Sequence, residues 1–181
     1  GKCLYVPTGI LIMASPTKSL LHGNDDFIGA TISAAAAFNI SHISMNSTPI
    51  SRKYPQFNLI GDETGYFEFE GGYIKPEACI EAQKIVALKN GANIVTNTEV
   101  IKIIPPRLRR KDFMIVTSEK IYYSEKVVLT AGSWMPKFIP EAIASNLEVH
   151  RQVLYWFEVR NEFNRYSSEN FPVFIWQRGE K

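Results

Sequence analysis

Lys126-Val127-Val128-Leu129-Thr130-Ala131-Gly132-Ser133-Trp134 is a run of aliphatic residues that stops at a small-residue turn. The run is too short for a helix and predicts a β-strand buried on both faces. Gly132 permits a turn where the backbone can approach another group closely, and Ser133 can cap a following short helix. In open α/β folds, ligands bind at such carboxyl ends of strands. The pattern also fits an ordinary joint between a strand and a helix.

The spacing of apolar residues predicts two longer helices and a set of strands around this stretch. A helix over 25–39 is capped by Asp25 or Asp26. A helix over 75–90 begins near Pro76, ends at Gly91 and packs against a sheet. Its packing face is built of small and aliphatic residues, namely Ala78, Cys79, Ala82, Ile85 and Val86. Strands are predicted over 9–14, 66–70, 93–104, 113–117, 121–123, 127–130, 149–159 and 171–176, with a loop and a short helical turn over 40–60.

The composition is that of a globular protein with no excess of charge. Of 181 residues, 45% are hydrophobic and 21% charged, and the formal net charge is +2. This balance favours neither a nucleic acid nor a membrane surface as partner, and the apolar stretch 4–14 is too short to span a bilayer. Cys3 and Cys79 are far apart and suggest no disulfide framework, which predicts a cytoplasmic protein.

Two local motifs have both a binding interpretation and a structural one. The basic run 107–111 can be a phosphate or nucleic-acid patch, but its shortness favours a charged hairpin tip. Arg52-Lys53-Tyr54-Pro55 can be a binding corner, although a solvated loop with Tyr54 packed inward is favoured. The aromatic strands near 151–159 and 171–176 fit either one wall of an apolar pocket or plain core.

No side-chain pattern in the sequence indicates a metal site or a catalytic acid, base or nucleophile. His22, His42 and His150 are isolated from one another and from the cysteines. A Gly-x-Ser-x-Gly elbow is absent from the sequence.

Several short motifs together resemble the glycine (D-amino acid) oxidase superfamily of flavoproteins, nearest its sarcosine oxidase and N-methyltryptophan oxidase branch. In that family a strand ends in a small-residue pair followed by Trp, as Ala131-Gly132-Ser133-Trp134 does here. The likeness continues, in family order, through Thr8-Gly9-Ile10-Leu11, Arg52-Lys53-Tyr54-Pro55, Gly71-Gly72-Tyr73-Ile74, Asn97-Thr98-Glu99-Val100, Arg151-Gln152-Val153 and Phe171-Pro172-Val173-Phe174.

The resemblance implies a mixed α/β fold that combines part of an FAD-binding, Rossmann-like domain with a mixed-sheet substrate-binding domain. Residues 61–148 would belong to the FAD-binding domain, and residues 1–60 and 149–181 to the substrate-binding domain. No two glycines are two positions apart, so the Gly-rich turn that such a domain needs for the pyrophosphate is missing. We therefore expect an interior fragment that is inactive alone, with FAD bound in the complete protein and not by this chain alone.

The resemblance also implies roles for six positions. The backbone of Val100 would meet the adenine ring, and Ile175 would form a wall near the substrate. Thr130, Ala131 and Gly132 would form the strand end that passes the nucleotide arm of the flavin. Trp134 would mark the start of the helix behind that strand end.

The function implied is oxidation of the C–N bond of a small amine or amino acid to an imine, with FAD as electron acceptor. The basic run and the Ser/Asn-rich loop 41–48 depart from the family pattern. The alternative is a non-catalytic α/β module that binds a small molecule or a protein. A nucleic-acid binder would depend on residues 107–111 alone.

Overall fold

Nine strands in three sheets and four α-helices make up residues 3–15 and 26–177, the part of the chain that this computed structural model describes. The mixed α/β fold class predicted from the sequence is confirmed. The strands are β1 (Tyr5–Pro7), β2 (Ile10–Ala14), β3 (His42–Asn46), β4 (Thr64–Glu68), β5 (Gly72–Ile74), β6 (Val100–Ile104), β7 (Phe113–Thr117), β8 (Ile121–Ser124) and β9 (Val173–Gln177). The helices are α1 (Phe27–Ala37), α2 (Ser47–Lys53), α3 (Pro76–Lys89) and α4 (Glu141–Ala144), with 3-10 turns at Gly132–Lys137 and Phe163–Tyr166.

The chain divides into two compact units, residues 1–87 with 157–181 and residues 88–156. The larger unit contains a four-stranded sheet in the order β3-β4-β2-β9, in which β2 is antiparallel to β4 and parallel to β9. β1 and β5 form a separate antiparallel pair in the same unit. The predicted assignment of residues 1–60, 61–148 and 149–181 to substrate-binding and FAD-binding parts stays a prediction.

The two faces of the four-stranded sheet bury different clusters because side chains alternate along each strand. Leu11 and Met13 of β2 pack on one face with Ile50, Tyr54 and Phe57. On the other face, Ile12 and Tyr66 pack with Ile28 and Ala35 of α1. The sheet is therefore covered on both sides, by α2 and the chain after it on one and by α1 on the other.

Helix α1 begins where its sequence predicts. The side chain of Asp26 caps the helix and accepts a hydrogen bond from the backbone N–H of Gly29 at 2.8 Å. Asp25, the alternative cap, lies outside the described residues. The prediction of a loop with a short helical turn over 40–60 was wrong in part, because residues 42–46 pair with β4 as an edge strand. The helical turn is confirmed as α2 over residues 47–53.

Helix α3 has the predicted ends but not the predicted burial. It runs from Pro76 to Lys89, and Gly91 follows with a φ of +85°, a conformation that glycine adopts without strain. No residue of α3 is buried; Ile85 and Val86 are exposed, while Ala78, Cys79 and Ala82 are half-buried. The prediction of a helix packed closely on a sheet through all five residues was therefore wrong.

The smaller unit contains the antiparallel sheet β6-β7-β8. The first of these strands begins at Val100 and not at residue 93, since residues 94–98 have no strand pairing. The predicted central strand over 127–130 was also wrong. Ser124 Oγ donates to the carbonyl of Lys126 at 2.6 Å and ends β8, and the side chain of Val128 is 85% exposed beyond it.

The predicted strand over 149–159 is likewise irregular chain. Its aromatic and aliphatic residues lie largely in solvent, with Trp156 95% exposed and Leu154 nearly as open. A β-strand requires a neighbouring strand for its backbone hydrogen bonds, and none of the strand pairings within the described residues includes this segment. On the side opposite β4, the neighbour of β2 is β9, whose pairing joins Ile10 to Val173 and Ala14 to Gln177.

No helix in the described part of the chain is both long enough and apolar enough to cross a lipid bilayer.

Candidate functional site

Val100, predicted to meet the adenine ring, is the first residue of β6. It pairs with Thr117 of β7, and the neighbouring loops are held together where Ser118 N donates to the carbonyl of Glu99 at 2.9 Å. Val100 is half-buried and the Thr117 side chain is buried. The position is thus the rigid edge of a sheet, from which backbone atoms can be presented to a ligand.

The predicted strand end at Thr130, Ala131 and Gly132 is an open turn that leads into the 3-10 helix Gly132–Lys137. Gly132 has a φ of +52°, and a Cβ added there would meet no atom within 4 Å among the described residues. Trp134 N donates to the carbonyl of Ala131 at 3.0 Å, and the Trp134 side chain is largely exposed. A short helix was predicted here, but it begins at Gly132 with Ala131 at its cap position, so Ser133 is inside the helix and does not cap it. The strand predicted before it is not formed.

The 130–132 turn has the open backbone that a dinucleotide arm needs, but the described contacts form no complete pocket there. The open backbone at Gly132 admits close approach by a ligand atom, which is the property that a nucleotide arm requires. A Gly-rich turn for a pyrophosphate is absent from the sequence. Contact of a flavin with Val100 and with the 130–132 turn stays a prediction.

Ile175, predicted to form a wall near the substrate, belongs to the larger unit. It lies in β9 and pairs with Ile12 of β2, so its side chain is on the sheet face that Tyr66 shares. It is partly exposed, whereas Ile12 is buried. The sheet thus presents an aliphatic side chain at this position, as a substrate wall requires.

The corner Arg52-Lys53-Tyr54-Pro55 confirms the packing of its structural interpretation, while its binding interpretation stays a prediction. Tyr54 is buried in the core, as the structural interpretation predicts. Lys53 ends α2, and its Nζ lies 4.5 Å from the ring centroid of Phe67 and 5.1 Å from that of Tyr54. The sequence did not show that Lys53 would sit above two buried rings, because Phe67 is distant in the chain.

The basic run 107–111 is a hairpin tip, as its shortness predicted. Arg107 and Arg110 exchange two backbone hydrogen bonds, of 2.8 and 2.9 Å. The guanidinium of Arg110 donates to the carbonyls of Asp112, Ile104 and Pro105 at 3.0, 3.3 and 2.8 Å. One of the four basic side chains in this run therefore holds the hairpin together and is not available as part of a charged patch.

Tyr66, on the α1 face of the sheet, is held as a neutral phenol. Its hydroxyl donates to Glu68 Oε2 at 2.8 Å, and its ring stacks on that of His42 with centroids 5.1 Å apart. Burial, followed by the hydrogen bond and negative charge of Glu68, raises the pKa of Tyr66 to about 12. A phenol in this state serves as a fixed hydrogen-bond donor and not as a proton-transfer group at neutral pH.

This pKa predicts a loss of stability in alkali. Because the folded pKa of Tyr66 lies above its ordinary value of 10.0, the stabilisation is complete below about pH 10 and is lost as the pH rises towards 12. We expect the free energy of unfolding of Tyr66→Phe to decrease less steeply with pH over that interval than that of the parent. In spectrophotometric titration, subtracting the Tyr66→Phe curve from the parent curve should give a phenolate step near pH 12. A step near pH 10 would contradict the buried hydrogen bond.

No group of three or more potential metal ligands occurs within residues 3–15 and 26–177.

Comparison with known proteins identifies relatives among amine and amino-acid oxidases. Monomeric sarcosine oxidase of Streptomyces avermitilis is 25% identical over 153 residues, which cover 84% of this chain and 39% of that protein. N-methyl-L-tryptophan oxidase of Yersinia pestis (strain Pestoides F) is 27% identical over 165 residues, covering 91% of this chain and 42% of that protein. The chain therefore spans about two fifths of the length of these curated relatives.

Solved structures share the fold at lower identity. NikD, an unusual amino acid oxidase essential for nikkomycin biosynthesis, matches with a TM-score of 0.64 and 21% identity over 75% of this chain and 33% of that one. Glycine oxidase from Bacillus cereus ATCC 14579 matches with a TM-score of 0.57 and 21% identity, over 74% of this chain and 35% of that one. The family described as FAD dependent oxidoreductase (DAO) matches residues 1–177. Since that match covers nearly the whole sequence, the chain belongs to the FAD dependent oxidoreductase family, as its motifs predicted.

Proposed function

We propose that this chain is an interior part of an FAD-dependent enzyme that oxidises the C–N bond of a small amine or amino acid to an imine. The single observation that carries the proposal is the family match over residues 1–177, which includes both compact units. The names of the relatives, sarcosine oxidase and N-methyl-L-tryptophan oxidase, support a secondary amine as substrate. When bound, FAD would accept the two electrons removed from the substrate, oxygen would reoxidise it, and water would hydrolyse the imine.

The residues of this chain would bind and orient the flavin and the substrate. Val100 and the turn of Thr130, Ala131 and Gly132 would present backbone to the adenine and nucleotide arm. The Trp134 helix start would support that turn from behind. Ile175 would exclude water from one side of the substrate and hold it by apolar contact.

The relatives' length supports a larger complete protein. The chain corresponds to 39–42% of those relatives, and it lacks the Gly-rich turn that binds a pyrophosphate. Contacts to the adenine and to one turn alone cannot offset the free energy of roughly 4–15 kcal/mol that the loss of translational and rotational freedom costs on binding. This chain by itself would then hold FAD weakly and be inactive. The complete protein would act in the cytoplasm on a small molecule, without nucleic acid or membrane.

An assay of the complete protein tests the reaction. Sarcosine, N-methyl-L-tryptophan, glycine and L-proline would be supplied in air to follow peroxide formation, and without oxygen to follow bleaching of the flavin. Turnover of at least one amine with bleaching of the flavin is the expected result. A complete protein that holds no flavin and oxidises none of the four would favour the alternative, a non-catalytic α/β binding module.

Gly132→Val in the complete protein tests the cofactor edge. A β-branched residue is strained at a φ of +52°, and its side chain would fill the open space through which the flavin approaches. Such damage costs about 1–3 kcal/mol, so we expect FAD affinity to fall by about tenfold or more. Titration with FAD, with circular dichroism to confirm folding, measures this.

Two controls separate cofactor contact from backbone strain. Gly91 also has a positive φ, of +85°, and open space at its Cβ, but it lies outside the proposed edge. Gly91→Val should therefore strain the backbone similarly and leave FAD affinity unchanged. Lys111→Ala, at the exposed hairpin tip, should be neutral. Equal FAD affinity in folded Gly132→Val and Gly91→Val would place the flavin away from the 130–132 turn.

A further inference from the structure

A cleft of about 350 Å³ opens in the larger unit, beside the end of α2 and the turn that precedes β9. Its walls include four aromatic rings, those of Tyr54, Phe67, Phe69 and Phe171, together with Lys53 and Glu169. Tyr54 and Phe67 are buried in the core, whereas Phe69 is half exposed. The cleft therefore offers an aromatic surface next to one positive and one negative side chain.

Lys53 carries the positive charge of this cleft and is not neutralised by the protein. Its ammonium lies above the rings of Phe67 and Tyr54, 4.5 and 5.1 Å from their centroids. Rings at these distances hold a cation in place but leave its charge unpaired. No carboxylate among the described residues lies within 4.0 Å of the Lys53 nitrogen. The ammonium is thus positioned to bind an anion from solution.

Glu169 carries the negative charge and is also unpaired within the described part of the chain. It lies on a turn that is fixed by its neighbours. Asn170 Nδ2 donates to the carbonyl of Asn164 at 2.9 Å and to Ser167 Oγ at 3.2 Å, and Phe171 N donates to the carbonyl of Ser167 at 2.9 Å. The backbone that carries the carboxylate is therefore held in place before any ligand binds.

The register of the sheet places this cleft on the opposite face from Ile175. Phe67 pairs with Leu11, whose side chain lies on the α2 face. Ile175 pairs with Ile12, whose side chain lies on the α1 face. The cleft is consequently distinct from the substrate wall proposed above, and its function does not depend on the proposed oxidation.

We propose that this cleft binds a free zwitterion that carries an aromatic group, such as an aromatic α-amino acid. The ligand carboxylate pairs with Lys53 and its ammonium with Glu169, while its ring packs on Phe67, Phe69 and Phe171. A ligand with both charges satisfies two side chains that the described protein leaves unpaired. A ligand with one charge satisfies only one of them.

Three small molecules that share a phenyl group and differ in their charges test the proposed binding to this chain, by isothermal titration calorimetry at low salt. L-Phenylalanine has both charges, phenylacetate only the carboxylate and phenethylamine only the ammonium. We expect L-phenylalanine to bind most tightly and each singly charged probe to bind about tenfold more weakly, because each lacks one charge-assisted contact. Absence of L-phenylalanine binding in the millimolar range would overturn the proposal.

Variants then assign each charge to its partner. Lys53→Met keeps the stem over the rings and removes the charge, so affinity should fall about tenfold for L-phenylalanine and stay unchanged for phenethylamine. Glu169→Gln should give the reverse pattern, with phenylacetate unchanged. A loss that is equal for all three probes would mean a structural effect and would refute the assignment.

Lys120→Met is the matched control for the lysine variant. The Lys120 nitrogen also lies over a ring, 4.8 Å from the centroid of Tyr122, but in the smaller unit and in none of the cleft walls described above. This variant should bind all three probes as the parent does. If Lys120→Met and Lys53→Met weaken L-phenylalanine equally, the cleft is not the binding site.

Discussion

Leu11→Ala is expected to lower the free energy of unfolding of the larger unit by about 3–5 kcal/mol. Leu11 is fully buried in β2, where it packs with Met13, Ile50 and Phe67. It pairs with Phe67 on one side and with Phe174 on the other, so the sheet cannot close around a missing side chain. Urea unfolding, followed by far-UV circular dichroism, measures the loss as a lower midpoint with an unchanged slope.

Leu108→Ala is the matched control, because it makes the same chemical change at a fully exposed position. Leu108 is at the tip of the 107–110 hairpin and contributes nothing to either buried cluster. Its truncation should change the free energy of unfolding by less than about 0.5 kcal/mol. A Leu11→Ala midpoint as high as that of Leu108→Ala would mean that β2 is not the centre of this core.

Elements with local signals were predicted closely. Pro76 and Gly91 mark the ends of α3 because each acts through its own backbone, and Asp26 caps α1 for the same reason. Strands β7 and β8 were also placed within a residue of their observed ends, since their turn at residues 118–120 is local. Such features need no information about distant parts of the chain.

Strands that need a distant partner were predicted less well. Residues 127–130 and 149–159 are aliphatic or aromatic enough for strands, but a strand forms only where another backbone accepts and donates its hydrogen bonds. Neither segment forms a strand within the described residues, and Val128 and Trp156 stay exposed. Residues 42–46 show the converse, because β4 turns an apparently polar loop into an edge strand.

The candidate site was predictable only at residues that match the motifs of the family. Val100, Gly132 and Ile175 were proposed from the resemblance, and their roles stay predictions. The cleft at Lys53 was missed because Phe67 and Glu169 come from separate parts of the chain, and pairing of charges across such distances leaves no periodic signal. A lysine that directly precedes a buried tyrosine was the one local indication.

The loop before β4 depends on the carboxylate of Glu63, which no pattern in the sequence indicates. Glu63 is 1% exposed, and its two oxygens accept hydrogen bonds from the backbone N–H groups of Ile60 and Gly61, both at 2.9 Å. Ser47 Oγ, at the start of α2, donates to the carbonyl of Gly61 at 2.8 Å. The loop and the helix start are thus joined through Gly61, whose backbone N–H donates to Glu63 and whose carbonyl accepts from Ser47 Oγ.

Glu63→Ala should therefore lower the free energy of unfolding of the larger unit by about 2–3 kcal/mol, because it leaves two backbone donors without their acceptor. Glu63→Gln, which keeps one acceptor oxygen, should lose less. Asp62→Ala is the control, since Asp62 is the neighbouring acid and is exposed, so its change should stay within about 0.5 kcal/mol. Urea unfolding of the three variants decides the matter: equal midpoints for Glu63→Ala and Asp62→Ala would show that the buried carboxylate does not hold this loop.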